Sequence, residues 1–285
     1  MPAHPEINPA LVVEARLQTH FAVEWISRIG RFAADPRNDY SHIALSWVEG
    51  PNVLATVPLP GRHSNKRAAV SIANFKLVML DGDKIDCELE LNGRTHAEVG
   101  KQAEGMLNDL GLDGAAIHQP IPYTLSHPQL SSGGKYDGSA MRTELGVLQG
   151  WFHTGDAILG AVKQRWSGTT PGPSPVLCWP HHFDMATLVT LEPGDPKQAR
   201  SIGFGMSPGD ETHPHPYYYI NPWPHPPNFD TLPPPPVGME WHTDGYFSLL
   251  VHAAHLLAAP NPPERASQCL QAGGDVAAKL LNFTP

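Results

Sequence analysis

Proline restricts the fold of this 285-residue chain more than any other sequence feature. Most of its 31 prolines follow residue 170, above all in the segments Pro171–Pro175, Pro222–Pro227 and Pro233–Pro236. Proline lacks a backbone N–H donor and fixes φ, so these segments are excluded from helix interiors and central strands. They predict rigid loops rather than disorder, because Tyr217–Ile220 and Trp223 lie among them and need burial.

Charge and composition exclude several classes of partner. The formal net charge is -9 and no long run of Lys or Arg occurs, which argues against a nucleic-acid partner. No apolar stretch reaches the ~18 residues of a membrane helix, and Met1–Glu6 lacks the features of a signal peptide. Cys87, Cys178 and Cys269 are isolated, which favours reduced thiols. We therefore expect a cytoplasmic protein without a nucleic-acid or membrane partner, and a small-molecule partner stays open.

Hydrophobic periodicity and turn residues predict the secondary structure. Helices are expected at Pro9–Phe32, from Thr95 to near Gly111, at Met141–Trp166, and from Asp244 to about Ala258. Strands are expected at His42–Val48, Val53–Val57, Ala69–Leu80, Lys84–Leu91, Pro175–Cys178, Phe183–Leu191, Arg200–Met206, Tyr217–Ile220 and Met239–Trp241. Thr95 and Glu98 have the spacing of a capping box, and Asp81-Gly82-Asp83 predicts a hairpin turn.

The two halves of the chain are similar in sequence. Residues 42–61 and 175–194 align with a one-residue gap: Trp47 lies beside Trp179, the Ala-Thr pairs are in register, and each segment ends with Pro-Gly. Chance similarity between hairpins is the alternative. We predict an α+β fold made of a duplicated helix–antiparallel sheet–helix unit, with helices on one face of each sheet. The expected halves are 1–125 and 126–285, packed as one globular unit, with the functional site in the second half.

Two short segments concentrate the groups that bind cations or move protons. They are Trp179-Pro180-His181-His182-Phe183-Asp184 and Ser207-Pro208-Gly209-Asp210-Glu211-Thr212-His213-Pro214. If the first segment is a strand, His182 and Asp184 project to one side and His181 to the other. The second segment reads as a tight turn that fixes the direction of Asp210. A buried His–Asp hydrogen bond and an ordinary solvated turn are the structural alternatives.

Other ionisable residues are weaker candidates. Glu144 is expected on the buried face of its helix, whereas His153 is expected to face solvent. His242 and Asp244 repeat the His-x-Asp spacing, but Asp244 is predicted to cap a helix. His252 is set aside because that helix would turn it away from the apolar face. The sequence lacks a phosphate-binding loop, a dinucleotide fingerprint, zinc-type cysteine spacing and a nucleophile elbow, so no nucleotide cofactor is expected.

The second-half motifs resemble a widespread bacterial family of uncharacterised proteins. Its signature reads Trp-Pro-Glu-His-Phe-Asp, then Ser-Pro-Gly-Asp, then His-Pro-x-Pro-Tyr, and the similarity spans most of residues 15–260. This chain departs from the signature at His181, where glutamate is expected. The resemblance implies that the matching positions belong to the functional site, but it does not imply a particular activity. Those positions are His182, Phe183, Asp184, Ser207, Pro208, Gly209, Asp210, His213, Pro216 and Tyr217.

Two functional hypotheses follow from these residues. In the first, a divalent metal ion assists hydrolysis, because a bound metal lowers the pKa of its water. Its expected ligands are His182, Asp184, Asp210 and His213, with Asp210 and His182 as catalytic groups. Its expected substrate pocket comprises Trp179, Glu211, Tyr217, Tyr219 and Trp223. In the second, the same residues form a polar network in a non-enzymatic small-molecule-binding or structural module. An interaction surface on the proline-rich loops remains a further alternative.

Overall fold

The computed structural model describes residues 8–121, 123–195 and 197–284, so Met1–Glu6 lies outside the described residues. It has five α-helices in this part of the chain: α1 (Pro9–Ala33), α2 (His96–Asp109), α3 (Arg142–Arg165), α4 (Ala253–Leu257) and α5 (Pro262–Leu280). Among the described residues, no helix is long and apolar enough to cross a membrane.

Twelve strands are described. They are β1 (Ser46–Val48), β2 (Val53–Ala55), β3 (Lys66–Ser71), β4 (Lys76–Asp81), β5 (Lys84–Glu90), β6 (Gly172–Pro173), β7 (Leu177–Trp179), β8 (Asp184–Thr190), β9 (Ser201–Ser207), β10 (Tyr217–Trp223), β11 (Glu240–His242) and β12 (Ser248–His252). The strands pair antiparallel and helices pack against them, which confirms the predicted α+β class.

The chain divides into two compact units, each formed from two segments. The first unit contains the described residues up to His153 together with Leu177–Phe183. The second contains Thr154–Val176 and the described residues from Asp184 onward. The internal sequence repeat and the expected boundary at residue 125 stay predictions.

The first unit contains a five-stranded meander in the order β1-β2-β3-β4-β5. The predicted hairpin is confirmed, because Asp81 pairs with Lys84 and Gly82 adopts a φ of 61° in the turn between them. Helix α1 packs against α2, where a Cβ on Gly100 would lie 2.2 Å from the ring of Trp25. Strand β7 belongs to this unit through Cys178, which exchanges two backbone hydrogen bonds with Leu45.

The capping box at the start of α2 is also confirmed. The Thr95 hydroxyl accepts from the Glu98 backbone N–H at 3.2 Å, and Glu98 accepts from the Thr95 N–H at 2.8 Å. Both bonds join residues only three apart, which is why local sequence sufficed to predict them.

The second unit contains an antiparallel sheet in the order β11-β12-β10-β9-β8-β6. Helix α5 packs on one face of it through two glycines that permit close approach. A Cβ on Gly273 would lie 2.4 Å from Ile220, and one on Gly274 would lie 3.1 Å from Phe204. Since side chains alternate along a strand, the face toward α5 carries mostly apolar residues. The opposite face carries most of the polar ones, with Leu250 as a buried apolar exception.

The polar face of this sheet is defined by strand register. Ser207 of β9 lies opposite Tyr217 of β10, which lies opposite His252 of β12. His242 and Glu240 of β11 lie opposite Ser248 and Leu250 of β12. Ser248 and Leu250 are two residues apart, so they lie on the same face as His252. The polar face therefore carries Asp184, Ser207, Tyr217, Tyr219, Glu240, His242, Ser248 and His252.

The helix predicted from Asp244 to Ala258 is wrong. Residues 248–252 form β12, which pairs with β10 and β11, and only Ala253–Leu257 is helical. Long-range pairing with two strands outweighed the local capping signal of Asp244. Helix α5, which was not predicted, follows it.

Two predicted strand boundaries are also wrong. The run Ala69–Leu80 is interrupted by a turn between β3 and β4, where Phe75 adopts a φ of 52° and its N–H binds Ile72 O at 3.0 Å. Strand β10 continues to Trp223 through Pro222, which had been assigned to a loop. Proline is tolerated there because β12 pairs only with Tyr217–Ile220, so the strand has one neighbour at that point.

The proline-rich segment after β10 is packed against aromatic rings. Residues 224–238 form no helix or strand, as predicted. The rings of Phe229 and Trp241 stack on Phe247 at 4.9 and 5.1 Å, and Trp241 Nε1 donates to Pro233 O at 2.8 Å. These contacts order the segment without regular backbone hydrogen bonding.

Replacing Thr95 with alanine should remove the hydrogen bond that its hydroxyl accepts from the Glu98 N–H, while the Thr95 N–H keeps its bond to the Glu98 side chain. The expected loss in the free energy of unfolding is about 1 kcal/mol, within the ~0.5–2 kcal/mol range for N-cap losses. Urea denaturation tests this, with Thr95→Ser as the control that keeps the capping hydroxyl. Equal stability of wild type and Thr95→Ala would contradict the assigned cap.

Candidate functional site

The first predicted motif forms a tight turn at the end of β7. The N–H groups of His182 and Phe183 both donate to Trp179 O, at 3.0 and 2.7 Å. Phe183 has a φ of 59°, and its buried ring lies 5.1 Å from the imidazole of His20. Burial lowers the pKa of His20 to about 4 although it is hydrogen-bonded to Pro180 O.

The expectation that His182 and Asp184 share one face of a strand is wrong. Strand β8 begins only at Asp184, because the positive φ of Phe183 ends the turn before it. The rings of His181 and His182 lie 4.2 Å apart instead of on opposite sides. Burial lowers the pKa of His181 to about 4, and His182 adds to this effect.

Asp184 belongs to the second unit and is bound there by a tyrosine. The Tyr219 hydroxyl on β10 donates to Asp184 Oδ2 on β8. To reach it, the Tyr219 ring crosses β9 above Gly205, where a Cβ would lie 2.0 Å from the ring. The absence of a side chain at Gly205 is therefore a condition of this hydrogen bond.

The second predicted motif is a closed loop between β9 and β10. Gly209 has a φ of 112°, and a Cβ there would lie 2.5 Å from Pro214 O. The Asp210 N–H donates to His213 O at 2.8 Å, which closes the loop. Only glycine satisfies both the backbone conformation and the close approach at this position.

Both carboxylate oxygens of Asp210 accept hydrogen bonds. Oδ1 accepts from the backbone N–H groups of Thr212 and His213 at 2.8 and 2.6 Å, and Oδ2 accepts from the Tyr217 hydroxyl at 2.5 Å. Burial alone would raise the pKa of this carboxyl. The hydrogen bonds from Tyr217, His213 and Thr212 outweigh burial and lower it, so Asp210 is ionised at neutral pH.

Three histidines of the second unit lie together beside this loop, and we call His213, His242 and His252 the imidazole cluster. The ring of His213 lies 5.2 Å from that of His242 and 4.9 Å from that of His252. His252 Nε2 is hydrogen-bonded to Glu240 Oε1 at 2.9 Å. Burial lowers the pKa of His213, as do the neighbouring imidazoles, while Asp210 and Glu240 oppose the shift.

Two nitrogens of this cluster are buried without a hydrogen-bond partner among the described residues. They are Nε2 of His213 and Nε2 of His242. A buried polar atom without a partner costs about 1–3 kcal/mol, so two such atoms on adjacent rings need a physical explanation.

The structure distributes the predicted site residues between the two units. Trp179 and His182 belong to the first unit, and the other predicted ligands and pocket residues belong to the second. Trp223 lies six residues along β10 from Tyr217, about 20 Å at ~3.3 Å per residue, and donates to Lys197 O at 3.1 Å. Glu211 is exposed in the loop.

Glu144 is buried as predicted but has a structural partner. Its Oε1 accepts from the Asn8 backbone N–H at 3.3 Å in the first unit. His153 is exposed, as predicted.

Sequence reasoning missed His242 and His252 as members of the site. The short apolar run Leu249–Val251 was the available signal for a buried strand at β12. Across residues 8–121, 123–195 and 197–284, no group of three or more His, Cys, Asp or Glu side chains could hold a metal ion.

Replacing Gly205 with alanine should displace the Tyr219 ring and break its hydrogen bond to Asp184. We expect a loss of about 1–3 kcal/mol in the free energy of unfolding, the usual cost of overpacking. Gly203→Ala is the matched control, because a Cβ there would meet nothing closer than 3.6 Å. Chemical denaturation of both variants distinguishes them, and equal effects would contradict the assigned packing.

Asp210→Asn should destabilise the protein in a pH-dependent manner. Because the folded-state pKa of Asp210 is lowered, its ionised form stabilises the fold above the unfolded pKa of about 3.9. That contribution is lost as pH falls through the folded pKa. We expect the variant to lose about 1.5–3 kcal/mol near pH 7, with the difference from wild type shrinking below pH 4. Denaturation at pH 7, 5 and 3 measures it, and a difference independent of pH would contradict the assignment.

No protein-family model matches the chain, and no match was found among curated proteins or solved structures. The resemblance based on the sequence motifs therefore stays a prediction, and function is inferred below from the geometry of the second unit.

Proposed function

We propose that His213 and His242 bind a divalent transition-metal ion and that water on this ion carries out hydrolysis. The observation that carries this proposal is the pair of buried Nε2 atoms on neighbouring rings that have no hydrogen-bond partner in the described part of the chain. The proposal retains His213 from the sequence-based ligand set and adds His242. Metal ligation by His182 and Asp184 stays a prediction.

The separation of the two rings supports a shared ion. Two imidazoles bound to one tetrahedral zinc ion have ring centres about 5 Å apart, given Zn–N bonds of about 2.0–2.1 Å. The centres of His213 and His242 lie 5.2 Å apart. Catalytic zinc sites usually have three protein ligands; here the two histidines would supply two, and water molecules and substrate would fill the other coordination positions.

Charge and protonation support the same conclusion. Burial lowers the pKa of His213, which favours the neutral imidazole that binds metals. Asp210 is ionised and interacts with His213, and Glu240 lies against His252. These carboxylates would balance part of the charge of a divalent cation, with Asp210 acting as a fixed charge rather than as a ligand.

A second candidate function is a non-enzymatic module in which these residues form a polar network. The contacts of Asp210 favour it, because both of its carboxylate oxygens already accept hydrogen bonds from the loop and from Tyr217. In this case the imidazole cluster stabilises the sheet edge, and metal ions have no specific effect.

Metal titration of chelator-treated protein decides between the two functions. We expect one Zn²⁺ per chain by calorimetry and elemental analysis. Mg²⁺ is the negative control and should not bind. His213→Ala and His242→Ala should each weaken Zn²⁺ binding by about tenfold or more. His215→Ala is the matched control, since His215 is exposed two residues from His213. The zinc-loaded protein should cleave a chromogenic ester, and His213→Ala should not.

Three outcomes contradict the metal proposal. They are binding below one ion per chain, Zn²⁺ affinity unchanged in His213→Ala and His242→Ala, and an equal loss in His215→Ala. If metal has no effect while His242→Ala lowers the free energy of unfolding by about 1–3 kcal/mol, the polar-network function is supported instead.

A further inference from the structure

The first unit contains a cavity that the proposed hydrolytic site does not use. It has a volume of about 380 Å³, which is within the range of ligand pockets, about 300–1,000 Å³. The turn between β3 and β4, the end of β5 and the first turn of α3 form its walls. All of these elements belong to the same compact unit.

The apolar wall of the cavity includes Phe75 and Leu145. The Phe75 ring is buried, and its backbone φ of 52° is unfavourable for an aromatic residue. Gly138 permits this placement, because a Cβ there would lie 2.3 Å from the ring. Backbone strain of this kind concentrates at ligand sites, and here it fixes an aromatic surface beside the cavity.

Arg142, which is exposed to solvent, is the charged lining residue without a charged partner among the described residues. The other two charged residues in the lining, Lys76 and Glu90, bind each other at 2.7 Å. The hydrogen bonds that Lys76 donates to Glu88 and then to Glu90 raise the pKa of Lys76 to about 12, so this group stays charged and paired. In the part of the chain that the structure describes, the guanidinium of Arg142 forms no hydrogen bond or ion pair.

The neutral polar lining adds a hydrogen-bond donor. Asn92 Oδ1 accepts from the Ser139 backbone N–H at 3.1 Å, which fixes the orientation of the side chain. The Nδ2 amide group of Asn92 donates to no described residue. A guanidinium and an amide therefore line one cavity, and the planar guanidinium matches the oxygens of a carboxylate or phosphate.

We propose that this cavity binds a small organic anion, with its carboxylate or phosphate group on Arg142 and Asn92. The apolar body of the ligand lies against Phe75 and Leu145. This site is independent of the imidazole cluster and of any metal ion. The outcome of the anion-binding experiment therefore neither supports nor contradicts the proposed hydrolytic function.

Calorimetric titration of the full chain with benzoate, phenyl phosphate and benzyl alcohol tests the proposal. The two anions distinguish a carboxylate from a phosphate ligand, and the alcohol keeps the ring without the charge. We expect at least one anion to bind with a Kd near or below ~1 mM. Arg142→Gln should weaken that binding by about tenfold or more, while benzyl alcohol should not bind detectably.

Two further variants separate anion recognition from loss of folding. Asn92→Asp keeps the acceptor for Ser139 but replaces the amide donor with a negative charge. It should abolish anion binding and leave the midpoint of thermal unfolding unchanged. Lys163→Gln removes a positive charge from an exposed position on the same helix and should bind like wild type. Binding by neither anion, equal binding of the alcohol, or wild-type affinity in Arg142→Gln would overturn the proposal.

Discussion

The alternation of side chains across the second-unit sheet determines which residues of that unit can share a site. Helix α5 packs on the face that carries Ile220 and Phe204, with glycines at its closest contacts. Every second residue of the central strands must therefore face the other way. That constraint gathers residues that are far apart in sequence, such as Asp184, Tyr217 and His252, onto one polar face.

Glycine positions refine what this alternation permits. On the polar face, Gly205 allows the Tyr219 ring to cross a whole strand and bind Asp184. In the loop beyond the strand, Gly209 accepts a φ of 112° and lets Asp210 bind the backbone of its own turn. The carboxylates are thus engaged by tyrosines and backbone donors, while the imidazoles of His213 and His242 keep buried nitrogens without partners among the described residues. This difference is why the proposed metal site rests on histidines rather than on the predicted His–Asp pair.

Features that depend on nearby residues could be predicted from the sequence. The capping box of Thr95, the Gly82 hairpin, helix α1 and the loop around Asp210 each involve hydrogen bonds or periodicity over a few residues. The segment after Asp244 could not be predicted in this way. Its capping residue favoured a helix locally, but pairing of β12 with β10 and β11 stabilised a strand, so His252 was assigned to the wrong surface.

The sequence by itself determined the α+β class, the irregular proline-rich segment after Trp223, and the concentration of ionisable groups around residues 179–184 and 207–214. Local propensity and fixed proline geometry suffice for these features. Only the tertiary structure decided which of the groups meet. Strand register placed His252 and His242 beside His213, and the positive φ of Phe183 separated His182 from the strand of Asp184. Such contacts depend on packing between distant segments, which no short stretch of sequence specifies.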